Sequence, residues 1–446
     1  MTRRRQEAET ARIESATHDG RGIAALPGKK AFVAGALPGE TVRFRRRKRR
    51  RNFDEAELLE VLESSSVRVE PRCAVYGTCG GCSLQHASDE EQRDIKLKAL
   101  ADNLQRIGQV EPQRWLEPIY DDSENGSWHY RRRARLAVKD VVGKGRVLVG
   151  FRERHAPYLT DMHRCEVLAK PVEGLLDPLS DLIGNLSIRR RVPQIEVAVA
   201  DNATALLIRV LDPPTDGDLA ALKSFAIEHG VRLLLQPGGL DSVFPLWPEP
   251  PMESLCYALP DFDITIDFDA SDFVQINARV NRRMVSEALQ LLQIGADDRV
   301  LDLFCGIGNF SLPMARKAQH VLGIEGEMDQ VQRAEDNALR NGIDNCEFRC
   351  ADLADLAGNE SWLSAGWDRV LLDPARSGAA AVVSEMSKIG AGRIVYVSCN
   401  PGTLARDAAT LVQSGGYTLE AAGIIDMFPH TGHVESLAVF QKGALP

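Results

Sequence analysis

The chain has no run of about 18 consecutive apolar residues, the length needed to cross a bilayer as a helix, and it does not open with the apolar core of a secretory leader. A reducing cytoplasm is therefore the expected compartment. It has no internal repeat of solenoid period, and its one low-complexity segment is an arginine run at 45–51. With 44% hydrophobic residues it is not a largely disordered polymer. At 446 residues it is too long for one hydrophobic core, and about three domains are expected. We place them at 1–66, 67–270 and 271–446.

The dinucleotide fingerprint is also incomplete. Asp298 to Ser311 reads as an apolar strand, an acidic residue and a turn containing Gly306 and Gly308, but Ser311 stands where a third glycine belongs. The two glycines still let a ligand approach the backbone closely. The segment His320 to Glu325 then ends in a carboxylate about 20 residues beyond the turn, the distance at which an acid receives ribose hydroxyls. Further strands are expected at Cys346–Cys350, Asp368–Leu372, Arg393–Val397, Tyr417–Ile425 and Val434–Gln441. Seven strands alternating with helix-length segments predict a doubly wound α/β sheet. About nine residues join the last two strands, too few for a parallel crossover, so that pair is expected to be antiparallel. Such a topology is expected of S-adenosylmethionine-dependent methyltransferases.

Ser398-Cys399-Asn400-Pro401 follows the fifth of these strands and puts a thiol beyond a carboxyl end, where ligands of open α/β sheets lie. Cys399 is thus a candidate nucleophile, although cysteine is also a common small core residue. The set Phe304-Cys305-Gly306-Ile307-Gly308-Asn309-Phe310, Asp373-Pro374-Ala375-Arg376, Ser398-Cys399-Asn400-Pro401 and His433-Val434-Glu435 resembles the RNA uracil-5-methyltransferases in order and spacing. In the chemistry this resemblance implies, a thiolate adds to carbon 6 of uracil, making carbon 5 nucleophilic enough to take a methyl group. Covalent catalysis of that kind divides one hard step into two easier ones. Cys399 matches the nucleophile and Glu435 the general base that removes the carbon 5 proton, with His430 and His433 near enough to be rivals. An unperturbed thiol has a pKa near about 8.5, so local help is needed at neutral pH, and nothing in the sequence identifies its source. For S-adenosylmethionine the resemblance assigns Phe304 and Asn309 at the turn, Glu325 at the ribose and Asp352 on the adenine side. Asp352 could instead be a helix N-cap. Gln275 falls at the junction of cofactor and target base, and Asp373 serves either ligand.

A second group comprises Cys73, Cys79 and Cys82, with five and two residues between them, and the distant Cys165. Four thiolates can hold zinc or an iron-sulfur cluster, with His86 and His163 as nitrogen alternatives, and disulfides are the weaker option in a reducing compartment. The family resemblance implies a [4Fe-4S] cluster on the four cysteines. Cys256, Cys305, Cys346 and Cys350 read as packing residues or reduced thiols.

The formal net charge of −9 argues against a generally basic surface, yet residues 1–51 carry 15 Lys and Arg against 5 Asp and Glu. They are net +10, leaving −19 on the other 395 positions, an asymmetry that suggests a local footprint for phosphates. Short β-like runs around Gly20 and Gly39 resemble the TRAM domain, an OB-like barrel of a type that often binds single-stranded nucleic acid. The arginine run is read as a basic tail on that barrel, and Arg131-Arg132-Arg133-Ala134-Arg135 after Trp128-His129-Tyr130 as a second basic patch. By resemblance, barrel and cysteine cluster together point to 23S ribosomal RNA as the substrate, with transfer RNA as the alternative. No obligate protein partner is evident and a monomer is expected. Two other classes are open: a non-catalytic iron-sulfur RNA-binding protein, and a nicotinamide oxidoreductase. The paired Cys399 and Glu435 speak against the first, and the missing glycine against the second.

Overall fold

The computed structural model describes residues 8–124, 126–356 and 360–443. Five strands come first: β1 (Glu9–Ala16), β2 (Arg21–Leu26), β3 (Lys29–Ala34), β4 (Thr41–Arg49) and β5 (Phe53–Glu63). They close into a barrel in the order β1-β2-β3-β5-β4, which leaves no unpaired sheet edge. Every second residue of β2 and β3 points inward, and Ile13, Ala24, Val33, Val42 and Phe44 fill the interior.

Here the sequence reading needs correction. The arginine run is no tail: Arg45 to Arg49 are the second half of β4 and pair with β5, Arg45 opposite Glu57, Lys48 opposite Glu55 and Arg49 opposite Asp54. The acids spaced along β5 explain why so basic a segment can lie in a sheet, since opposite charges across strands are mutually stabilising. Arg46 and Lys29 both bind the fully buried Asp54, Lys29 at 2.6 Å and Arg46 at 2.9 Å. Arg43 pairs with Glu60, Arg45 with Glu57 and Arg50 with Glu55.

After the barrel come a helix, Asp89–Asn103, and a two-residue strand, β6 (Arg114–Trp115). A six-stranded sheet follows, made of β7 (Arg133–Val141), β8 (Arg146–Gly150), β9 (Gln194–Val199), β10 (Thr204–Arg209), β11 (Arg232–Gln236) and β12 (Phe244–Trp247). The hairpin of β13 (Leu255–Leu259) and β14 (Ile264–Phe268) leads into the helix Ala278–Leu292.

The last unit is an α/β sheet: β15 (Arg299–Leu303), β16 (His320–Glu325), β17 (Cys346–Cys350), β18 (Arg369–Leu372), β19 (Arg393–Ser398), β20 (Tyr417–Ile425) and β21 (Glu435–Lys442). Their order is β17-β16-β15-β18-β19-β21-β20-β6. All six residues of β19 are buried, as a continuous apolar run covered on both faces requires. β21 is antiparallel to both neighbours, as the short connection predicts. An eighth strand was not expected: β6 adds in parallel to β20. With it the 89–119 stretch packs on this last unit, and so does the β13–β14 hairpin, whose backbone is bonded by Asn337 and Asn341. Both segments precede residue 270, within the stretch 67–270 assigned from the sequence to the middle domain.

Candidate active site

The strand order reverses between β15 and β18, and the carboxyl ends of β15, β18 and β19 open on the same side. Cys399 follows β19 directly. Ser398 holds the turn by accepting from the Asn400 amide at 3.2 Å, and Asn400 caps the helix Pro401–Gln413 through the Gly402 N–H at 3.0 Å. Glu435 begins β21, where Ser398 pairs with Ser436. Cys399 and Glu435 are the next residues beyond that pair, near enough for the carboxyl's charge to act on the thiol. Asp373 leaves β18 with its N–H on the Leu303 carbonyl, 3.3 Å away. Next to it Arg376 is tied in from two sides, its carbonyl by Asn400 Nδ2 at 3.1 Å and its guanidinium by His433 Nδ1 at 2.8 Å.

The electrostatics follow from crowding acids and a thiol in a sheltered place. Burial, and then the charge of Asp373, pushes the Glu435 carboxyl up to about 8, with Arg376 opposing. Burial, then Glu435 and Asp373, pushes the Cys399 thiol up to about 11, again against Arg376. Burial alone raises Asp373 to about 7. The rival histidines are otherwise engaged. His430 is buried, driven down to about 4 by that burial, and bonded to Gln92. His433 is lowered by burial and by Arg376, whose donated N–H occupies Nδ1.

The glycine turn lies beside this group. Phe304 has φ +66 and Gly306 φ +54, and the Phe304 and Cys305 amides both donate to the Ile324 carbonyl. Left-handed backbone at a non-glycine residue persists where its surroundings over-determine it. Glu325 accepts the Gly306 N–H at 3.0 Å on one oxygen and the Gly326 N–H at 2.7 Å on the other, keeping lone pairs for hydroxyl donors. Ser311, the residue in place of the third glycine, donates to Asp302, whose carboxyl burial raises to about 8. Asp352 is exposed and accepts the Ala354 N–H at 2.8 Å; no helix starts there, so the N-cap alternative does not apply. Gln275 lines a small pocket with Arg132, Tyr257 and Asn281.

Three contributors, Asn281, Tyr257 and Arg376, were assigned no role from the sequence. Asn309 is gripped by a reciprocal amide pair with Asn281 (3.0 and 3.1 Å), and its Oδ1 also accepts from the Tyr257 hydroxyl at 2.9 Å. Arg376 is the third, the cation nearest in effect to both reacting groups. Arg376 lay within a quoted motif, whereas only contacts across the fold reveal Asn281 and Tyr257.

Away from this site, Cys73, Cys79, Cys82 and Cys165 line one pocket, together with Tyr76, Arg131 and Met162 among others. His86 and His163 do not line it. All nine cysteines are free thiols. Burial first, then the neighbouring thiols, raises Cys82 to about 11, and burial raises Cys165 to about 12. Beside the pocket, His129, Glu166 and Glu173 place three ligand atoms within 4.8 Å of one another. Arg72 and Arg164 already neutralise these acids, which leaves a cation little to gain there.

The second basic patch is largely committed to ion pairs, Arg132 with Asp201 and Arg135 with Glu196. It borders a cleft of about 810 Å³ lined by Arg72, Trp128, Arg132, Lys170, Arg279 and Arg282 among others. No helix among the described residues is long and apolar enough to cross a membrane.

Residues 257–443 match the family model described as tRNA (Uracil-5-)-methyltransferase. The chain is 47% identical over 437 residues to the 23S rRNA (uracil(1939)-C(5))-methyltransferase RlmD of Legionella pneumophila strain Paris, covering 98% of each chain. It is 50% identical over 432 residues to the protein of the same name from Alkalilimnicola ehrlichii, covering 97% of this chain and 96% of that one. Among solved structures, the Pyrococcus abyssi tRNA (uracil-54, C5)-methyltransferase in complex with S-adenosyl-L-homocysteine superposes with a TM-score of 0.74. That likeness covers 97% of this chain and 99% of the other at 23% identity, and it shows the fold, an α/β methyltransferase sheet.

Proposed function

The chain belongs to the RlmD family of 23S rRNA (uracil-C5)-methyltransferases, and we propose that it methylates carbon 5 of a uridine in 23S ribosomal RNA through a covalent adduct on Cys399. The uridine is the one given in its relatives' names, 1939. The observation that supports the residue assignment is the register of β19 and β21, which runs to Ser398 and Ser436, the residues next to Cys399 and Glu435.

Having lost its proton to solvent, the Cys399 sulfur adds as thiolate to carbon 6 of the flipped uracil, and the electrons of the 5,6 double bond move toward carbon 5 and the carbon 4 oxygen. Carbon 5 then takes the methyl group of S-adenosylmethionine as the methyl–sulfur bond breaks, leaving S-adenosylhomocysteine. Glu435 removes the proton from carbon 5, the double bond re-forms, and the carbon–sulfur bond breaks to return the thiolate. A base placed in this way typically contributes about a hundred- to ten-thousand-fold. A pKa near 8 suits it, because a base poised near the working pH takes a proton and gives it up again. Arg376 offsets negative charge on both groups.

The glycine turn with Phe304 and Asn309, the Glu325 carboxylate, Asp352, Gln275 and Asp373 would hold S-adenosylmethionine. Glu325 fits the ribose because each of its oxygens is already aimed by a backbone N–H and still has capacity for a hydroxyl. The barrel is read as a TRAM domain, and the large cleft with its arginines, lysine and tryptophan as part of the RNA path. A base inside folded RNA has to be unstacked first, at a few kcal/mol.

The four-cysteine pocket is read as the seat of a [4Fe-4S] cluster. Four unpaired thiols converge there, and the Gly81 N–H points at Cys79 Sγ from 3.4 Å. Four thiolates would also suit zinc, and the family resemblance is what favours the cluster.

Mass spectrometry of the protein incubated with S-adenosylmethionine and a 5-fluorouridine-substituted 23S rRNA fragment tests the function. The expected result is an RNA adduct on Cys399 that is absent from Cys399→Ala. An adduct with transfer RNA alone would move the substrate, and none on either RNA would leave a non-catalytic RNA-binding protein as the better reading.

A further inference from the structure

Residues 426–434, the connection from β20 to β21, end immediately before Glu435, and an unusual number of distant segments converge on them. His430 sits in this loop at φ +66, buried. Its backbone N–H donates to Gln92 Oε1 at 2.7 Å, and its Nδ1 faces Gln92 Nε2 at 3.2 Å. Its carbonyl accepts from the amides of Ser83 and Leu84, at 2.8 and 2.9 Å, just after Cys82. Four residues earlier, the fully buried Lys96 donates to Asp426 at 2.6 Å and to the Phe428 carbonyl at 2.9 Å. The barrel closes on the other end: a Cβ on Gly432 would stand 2.6 Å from Asp19 Cα and 2.9 Å from the His18 carbonyl.

We propose that Gln92 and Lys96, on the helix Asp89–Asn103, are positioning residues for the proton-abstraction step, acting through the His430 turn on the placement of Glu435. The proposal rests on Glu435 being the base. A left-handed histidine needs surroundings that over-determine it, and the bonds to Gln92, Ser83 and Leu84 supply them. From there Thr431 Oγ1 ties Phe428 to the His433 amide, so the turn runs into β21 without slack. Cys399, by contrast, is set by β19 and the cap at Asn400, to neither of which Gln92 or Lys96 is hydrogen-bonded among the described residues. The β19–β21 ladder is common to both groups, and the ties to Gln92 and Lys96 are added on the Glu435 side through the loop. Addition and methyl transfer depend on the β19 side, and elimination on the loop as well.

Loosening the loop should accordingly stall the reaction after methyl transfer. Misplacing a reacting group by about 1 Å can slow its step by about a hundredfold. With unmodified 23S rRNA fragment and methyl-labelled S-adenosylmethionine, Gln92→Leu is expected to transfer the methyl group within about threefold of the wild-type rate in a single turnover, while the labelled, denaturant-resistant protein–RNA adduct rises at least about fivefold. A turnover reduced without adduct accumulation would overturn the proposal, because a merely structural defect lowers every step alike. If Gln92→Leu does not fold, Gly432→Ala strains the same loop from the barrel side and is read in the same way. Glu435→Gln serves as the reference. Adduct from it but not from the loop variants refutes the positioning role alone, and no adduct from Glu435→Gln refutes the base assignment and the proposal with it.

Discussion

Replacing Asn281 with alanine tests whether the glycine turn is held ready for S-adenosylmethionine by a side-chain latch. In the folded protein Asn281 and Asn309 exchange two hydrogen bonds, and Tyr257 adds a third to the same Asn309 oxygen. Each net bond contributes about 1 kcal/mol. Asn281→Ala removes two, about 2 kcal/mol, and frees Asn309 Nδ2 from its partner, whereas Tyr257→Phe removes about 1 kcal/mol and leaves the amide pair intact. If the turn must be re-ordered when the ligand binds, those energies appear in affinity at about 1.4 kcal/mol per tenfold. The dissociation constant of S-adenosylhomocysteine, measured by titration calorimetry, should then rise about thirtyfold for Asn281→Ala and about fivefold for Tyr257→Phe. The double variant should fall short of the product, since both changes act on one side chain. An Asn281→Ala protein that melts earlier yet binds within about twofold of wild type would refute the reasoning, because the latch would then serve only the fold.

Three further outcomes are expected. Asp302 and Glu435 are held protonated up to about 8 and Asp373 to about 7, against unperturbed values of 3.8 and 4.5. Between those limits the folded chain keeps protons that the unfolded chain has released, so stability falls as pH rises through this window; the melting temperature should drop from pH 6 to 8.5, and Asp302→Asn should flatten the slope. Protein purified without oxygen should absorb near about 400 nm and carry about four irons per chain, both lost in Cys165→Ser; a colourless protein with one zinc would remove the cluster. Arg47, Lys48, Arg49 and Arg51 are exposed and make no ion pair among the described residues, whereas Arg43 and Arg45 are paired with Glu60 and Glu57. Neutralising the first four should flatten the salt dependence of RNA binding by about 3 in log–log slope, at about 0.7 per contact, and neutralising Arg43 and Arg45 should change it far less.

What the sequence could reveal depended on whether a feature is local. β19 was legible because a strand buried on both faces must be apolar throughout, and the antiparallel β21 because loop length limits what a connection can cross. The glycine turn announced itself through backbone that only small residues tolerate easily. β6 was not legible, since two residues carry no periodicity, and its place is set by β20 rather than by its own composition. The arginine run misled for a related reason: it is strand paired with β5, whose acids engage Arg45, Arg46 and Arg50, and that shows only once register is known. Lys96 reads as a surface residue on an acidic helix, and only the fold shows it enclosed against Asp426. Asn281 and Tyr257 are ordinary residues of a helix and a hairpin until the turn is placed between them.

The electrostatics of the site bear on how Cys399, the proposed nucleophile, would be kept unreactive between turnovers. With Cys399 raised to about 11 and Glu435 to about 8, the free enzyme at neutral pH holds both groups mainly in their protonated, neutral forms. The cause is mutual: each charge would be desolvated, and each would face the other and Asp373 across a small gap. Arg376 opposes the shift at both groups, and it is exposed, so water screens much of its effect. A thiolate nucleophile is therefore disfavoured until binding changes the surroundings. Contacts made only in the bound state could supply the missing stabilisation, and binding energy spent in that way raises rate rather than affinity. The same neutrality suits the second half of the reaction. Once the sulfur is bonded to carbon 6 its charge no longer opposes Glu435, and the carboxylate is easier to form at the moment a base is needed.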